Sequence, residues 1–397
     1  MAQPSPPPAS PLLAYAFRPF FLLTGLYAVL VVLAWVGFLF GNWPLPLGWS
    51  PLQWHSHEMV YGFVAAATAG FVLTAMTNWT GAAPLAGRGL AALIALWLAG
   101  RLVFWFAGWL PTWLVAAVDL AFLPVLAIYV ARVLLRHGNK RNLILVGVLG
   151  LLTLGNFLMH LGFLTGKTGL LKLGQTLALD IITLMMVVIA GRIIPAFTAN
   201  WLRQNGGDPE WVTRSARTDQ MAMLSVLLLV IAELLPSPAW LVGALALAAG
   251  AINGLRLVQW AGWRTWREPM LWILHLAYAW IVLALLLRGL DRLGGAGMTS
   301  LWQHTLGVGA MGTLIIGVMS RVAMGHTGRP IKLPRFGGLM FLAIIAATLL
   351  RLAAANQWVD YRIGVTLAAL GWILAFALFV VLYWPVLTRP RADGRQG

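Results

Sequence analysis

Five of the seven histidines, His57, His160, His275, His304 and His326, lie inside or at the lip of apolar runs that read as membrane spans. An imidazole in hydrocarbon is costly, and an ionisable group kept there is a functional candidate by default. Neutral imidazole is a common ligand for haem iron and for copper. Several such residues on different runs, in a chain with no cysteine, point to a buried metal centre. The lack of cysteine excludes disulfides, iron–sulfur clusters, zinc–thiolate sites and thiolate-ligated haem. His55 stands two residues before His57, and on a helix the two project about 200° apart. They therefore serve different centres, or His55 lies in extended chain ahead of the helix. His137, in the basic loop from Arg136 to Arg141, reads as solvated and without a role.

Charged residues inside the apolar runs form the second group with chemistry to offer. Glu58 follows His57 directly and is placed either to orient an imidazole from behind or to sit at a helix N-terminus favoured by the dipole. Asp180 lies mid-run, where it belongs to a proton path or to an ion pair with an arginine. Arg192 and Arg321 either snorkel to the nearer surface or pair with haem propionates. Arg101, Asp119, Glu233, Arg256 and Arg351 are further charges at buried depth.

These side chains must be positioned by helices. The 397 residues are 60% hydrophobic and 10% charged, against about 25% charged in soluble domains. Apolar runs near the roughly 20 residues that cross a bilayer occur at 19–41, 57–77, 89–109, 113–135, 142–164, 169–198, 219–236, 239–262, 270–290, 301–324, 337–356 and 361–387. The chain is thus expected to be an all-α, polytopic membrane protein of about twelve transmembrane helices. The formal charge of +16 comes from short loops and reflects topology rather than nucleic-acid binding. One set of loops carries Arg88, Arg136, Lys140, Arg141, Arg203, Arg214, Arg217, Arg264, Arg267, Arg329, Lys332 and Arg335, and the tail adds Arg389, Arg391 and Arg395. The alternate loops hold few: Lys167, Arg292 and, near span ends, Lys172, Arg288 and Arg362. By the positive-inside rule both termini face the cytoplasm. The expected organisation is a flexible N-terminal arm over 1–17, a transmembrane domain over 18–388 and a basic tail over 389–397. This topology gathers His55, His57, His160 and His304 in an outer layer and leaves His275 and His326 towards the cytoplasm.

The second and tenth runs align without gaps, matching His57 with His304, Gly62 with Gly309 and Gly70 with Gly317. Both end in Thr-Gly, at Thr80-Gly81 and Thr327-Gly328. The end of the sixth run, Gly191 to Thr198, resembles Ser320 to Thr327. Runs four apart suggest three four-helix units with pseudo-threefold symmetry, the architecture of haem–copper oxidases. Likeness at the level of fold says little about function.

The motifs also carry a family resemblance. Phe17-Arg18-Pro19-Phe20-Phe21, Trp54-His55-Ser56-His57-Glu58-Met59, Asn78-Trp79-Thr80-Gly81, Gly191 to Thr198, and the run from Ser320 to Pro330 follow one another along nearly the whole chain. Together they resemble the NnrS proteins, bacterial membrane proteins of the nitric oxide and nitrosative-stress response described as containing haem and copper. The resemblance implies a bacterial inner-membrane protein holding haem b and a second metal such as copper. His57, His160, His275, His304 and His326 are then the candidate ligands, His55 an additional metal ligand, and Arg192 and Arg321 the propionate partners. Its small-molecule ligand would be nitric oxide. If it is catalytic, the reaction is reduction to nitrous oxide with an electron donor, and Glu58 and Asp180 relay protons. The other classes open to the sequence are a transporter or metal-handling protein and a nitric oxide sensor. Twelve helices suit a carrier, whereas a sensor lacks an output domain.

Overall fold

A chain in hydrocarbon must satisfy every backbone N–H and C=O within itself, and helices do so segment by segment. The computed structural model describes residues 10–295 and 297–395. Among them are twelve helices long and apolar enough to span a membrane and no strand. We number them α1 (Phe17–Gly41), α2 (Pro51–Thr80), α3 (Gly87–Trp105), α4 (Thr112–Arg136), α5 (Lys140–Leu164), α6 (Thr168–Gln204), α7 (Pro209–Leu234), α8 (Ala239–Gln259), α9 (Pro269–Gly294), α10 (Thr299–His326), α11 (Gly337–Ala355) and α12 (Tyr361–Thr388). Of the expected N-terminal arm, residues 1–9 lie outside the described residues. Pro11–Leu13 is a short 3-10 turn leading into α1. Residues 396 and 397 of the expected tail also lie outside the described residues.

The helices depart from the hydropathy boundaries where local chemistry dictates. Helix α2 starts at Pro51, well ahead of the apolar run. Ser50 accepts a hydrogen bond from the Gln53 N–H while the Gln53 side chain returns to the Ser50 N–H, and Pro51 pre-sets the first helical φ. His57 is therefore two turns inside the helix. Helix α4 breaks at Ala121, between segments Thr112–Leu120 and Phe122–Arg136. Pro124, just beyond, has no N–H to give the preceding turn. Helix α6 continues to Gln204 with Pro195 inside it.

Contacts divide the chain into two compact units. One comprises residues 1–175, 319–334 and 376–397, the other 176–318 and 335–375. In the first, α1 packs along α2, α3 against α4, and the second half of α4 against α5. In the second, α9 packs against α8 and against the early part of α10.

The alignment of α2 with α10 has a counterpart in local structure. Directly after His57, α2 widens into a π-helical segment, Glu58–Val64. Directly after His304, α10 does the same over Thr305–Gly312. The aligned glycines also meet the preceding helix in the same way. A Cβ on Gly62 would collide with Tyr27 and one on Gly70 with Phe20 and Phe21, all on α1. Gly309 lies against Trp280, and Gly317 against Ile273 and Leu274, all on α9. Gly81 and Gly328 both take φ of +70°, the left-handed conformation that ends a helix without a Cβ penalty. Helix α6, expected as the third copy, is α-helical throughout.

Candidate metal centre

Four helices of the first unit bring the chemistry together. The seventh residue of α2 is His57, and the π-segment begins at Glu58. Helix α3 supplies Arg101, and α4 supplies Asp119, just before its break. Helix α5 supplies Asn156 and His160, which share a face because they are four residues apart. Gly100 of α3 lies against Asp119, where a Cβ would stand at ordinary contact distance from the Asp119 Cα. All six side chains are buried.

The donors converge on one oxygen. Asp119 Oδ2 is 3.1 Å from His57 Nε2 and 2.9 Å from His160 Nε2, and it accepts from Asn156 Nδ2 at 2.8 Å. Asn156 Oδ1 is 2.9 Å from the same His57 nitrogen. Behind the ring, His57 Nδ1 lies 3.0 Å from Glu58 Oε1. Arg101 bridges the two carboxylates, with Nη1 on Glu58 and Nη2 on Asp119 Oδ1. One guanidinium against two carboxylates leaves a formal charge of about −1 when the imidazoles are neutral. Glu58 Oε2 is buried with no hydrogen-bond partner among the described residues.

Aromatic rings enclose the cluster. Phe104 stacks on His57 with centroids 3.8 Å apart. Trp49, from the chain between α1 and α2, stacks on Phe163 at 4.6 Å and stands edge-on to His160 at 5.3 Å. Its loop is pinned by the Gly108 N–H to the Pro46 carbonyl at 2.7 Å. The walls are apolar and the centre is charged, so the electrostatic interactions inside are little screened.

His57, Asp119 and His160 offer ligand atoms within 4.8 Å of one another. Two imidazole nitrogens and a carboxylate, without thiolate, form a set that suits copper, zinc or iron as a single ion. The Nδ1–H of His57 on Glu58 is the outer contact that aims Nε2 inward in histidine-bound metal sites. A metal ion fits these residues. Both Nε2 atoms address the same carboxylate oxygen, as ligands gathered around one ion do.

The other expected residues are placed elsewhere. His55 stacks on Trp35 at 4.3 Å, away from the partners of His57. In the second unit, His304 Nδ1 is 2.7 Å from the Ser300 carbonyl. There His275 is buried with Nε2 2.9 Å from Thr198 Oγ1, and the Gly262 backbone lies flush against the Nδ1 side of the ring. His275 Nδ1 is buried with no hydrogen-bond partner among the described residues. His326 faces Phe17 at 5.6 Å in the first unit. Arg192 and Arg321 are half-buried. Asp180 is bound by both terminal nitrogens of Arg288, which also reaches Glu233 at 2.7 Å. Arg101, Asp119 and Asn156 were not expected at a common site. The available signals were two buried charges of opposite sign on successive runs and an asparagine one turn before His160.

Twelve helices long and apolar enough to span a membrane, four of them holding a buried His/Asp/His group able to bind a metal ion, define a multi-pass membrane protein with a candidate metal centre. The sequence matches the model of the NnrS protein family over residues 11–391, and the chain belongs to that family. Comparison with curated proteins returned no match.

Proposed function

We propose that this NnrS-family protein binds nitric oxide at a metal ion held by His57, His160 and Asp119, with copper, the second metal that the family resemblance implies, as that ion. The observation that carries the reading is the convergence of two imidazole nitrogens on one buried carboxylate. A bound copper ion supplies a ligand position for nitric oxide and one-electron redox chemistry. The protein's own part is to hold that position. Glu58 sets the tautomer of His57, Arg101 orients both carboxylates by bridging them, and Trp49 with Phe104 excludes water. With an external electron donor, the reaction within reach combines two nitric oxide molecules, two electrons and two protons into nitrous oxide and water. Glu58, beside His57, is the carboxylate positioned to carry a proton to the centre. Asp180, committed to Arg288, takes no part.

Metal analysis of protein purified without chelators tests the reading, together with copper electron paramagnetic resonance before and after anaerobic nitric oxide. Near-stoichiometric copper, lost in His160→Ala, and a spectrum altered by nitric oxide support it. A metal-free protein with no response to nitric oxide sinks it and favours a carrier. A pyridine haemochrome assay on the same sample reports haem independently, and haem that persists in His57→Ala and His160→Ala protein lies outside this cluster. Nitrous oxide measured by gas chromatography with a chemical reductant separates turnover from binding alone.

A further inference from the structure

On the arginine-rich side of the second unit, a pocket of about 420 Å³ opens between the end of α6, the turn Pro209–Trp211 and the turn Gly262–Thr265. Its walls include Trp201, Trp211, Trp263, Trp266, Arg264 and Arg267. The two turns are tied together by the Thr213 N–H to the Gln259 carbonyl at 2.9 Å, and Thr265 Oγ1 bonds the Gly262 carbonyl at 2.7 Å.

Both arginines lie on indole faces. Arg264 Cζ is 3.2 Å from the Trp211 ring centroid and Arg267 Cζ is 4.9 Å from that of Trp266. Stacking engages the face of a guanidinium and leaves its planar N–H edge for an anion, which it grips in bidentate fashion. Among the described residues, no carboxylate lies within 4.0 Å of either. The nearby acids are otherwise engaged: Asp208 accepts from the Glu210 N–H and Glu268 from the Met270 N–H. Glu210 itself is exposed and is not part of the wall.

The level of the pocket selects the anion's source. It opens where α6 ends and α9 begins, and Trp263 and Trp266 are 62% and 67% exposed. Exposed indoles at the ends of spans belong at the headgroup level of a bilayer. Basic pockets at that level suit lipid phosphates. We propose that this pocket binds the phosphodiester headgroup of an anionic membrane lipid, with Arg264 and Arg267 on the phosphate and Trp263 and Trp266 against the glycerol region.

Delipidated full-length protein in detergent, titrated with phosphatidylglycerol or phosphatidylcholine and read by native mass spectrometry, tests this. Wild type should bind one phosphatidylglycerol with preference over phosphatidylcholine. Arg264→Gln/Arg267→Gln should weaken that binding about tenfold or more, at roughly 1 kcal/mol per basic residue. Arg214→Gln/Arg217→Gln removes the same charge from exposed positions outside the pocket and should leave the preference within about twofold. Equal losses in both variants would reduce the effect to general charge and overturn the pocket. Displacement of the lipid by equimolar glycerol phosphate would overturn the lipid as the source of the anion.

Discussion

One oxygen, Asp119 Oδ2, takes a contact from each of His57, His160 and Asn156, so the site is most sensitive at Asp119. Asp119→Asn keeps the shape and removes the charge, and stoichiometric metal should be lost on metal analysis. Glu58→Gln keeps the donor atoms and loses the outer carboxylate. Metal affinity should fall roughly 10- to 100-fold without vanishing, as measured by competition with a chelating dye. Arg101→Met leaves two buried carboxylates without a counter-charge, a loss of roughly 3–5 kcal/mol in stability. Added metal should restore part of it by binding only the folded state, and a melting temperature indifferent to metal would count against the centre. At this scale the sequence is half legible. His57 and His160 stand out because imidazole is rare in hydrocarbon. Asp119 and Arg101 are visible as buried charges, but their pairing depends on which helices are neighbours, and no local pattern encodes that.

Among the elements, the π-segment Glu58–Val64 shapes the wall behind the site. Its wider turn loosens the carbonyl ladder, and the Gly62 carbonyl accepts from the Trp97 indole N–H at 3.2 Å. Gly62 also admits Tyr27, whose hydroxyl takes the Trp105 indole N–H at 2.8 Å. Gly62→Ala should therefore cost about 1–3 kcal/mol through overpacking and lower metal occupancy as well. Gly147→Ala and Gly150→Ala, on α5 with open space beside them, should be neutral or stabilising by up to about 1 kcal/mol. Thermal unfolding in detergent compares the three. Hydropathy reveals α2 from residue 57 onward. The earlier start at Pro51 lies in the Ser50–Gln53 capping box, a signal of hydrogen bonding rather than of hydrophobicity. The π-segments were not legible, although the aligned histidines mark where each begins.

For the whole molecule, the twelve spans were the most readable feature, because bilayer thickness and backbone satisfaction leave few alternatives. The loop arginines argue further that both termini are cytoplasmic. Alkaline phosphatase and fluorescent-protein fusions at each end check this: only the fluorescent fusions should be active. The grouping into two compact units was not legible. Their limits cut through α6, α10 and α12, and no change of composition marks those points.

The buried Arg18, near the start of α1, gives Nη1 to the carbonyls of Leu387 and Arg389 at 2.9 and 2.8 Å, at the end of α12. Just beyond, the Ala392 N–H bonds the Thr327 carbonyl, and Arg391 bonds the His326 carbonyl while also binding Asp393. That partner holds the Asp393 carboxyl below its usual range, so the contact is present above the ordinary aspartate pKa and is lost only as pH falls further. During synthesis Arg18 emerges early and its acceptors more than three hundred residues later. At ribosomal speeds of roughly 5–20 residues per second, it waits many seconds in the membrane without them. Assembly of the first unit thus has a clock: α1 is completed by residues made more than three hundred positions later, and a chain stopped before Leu387 never finishes it.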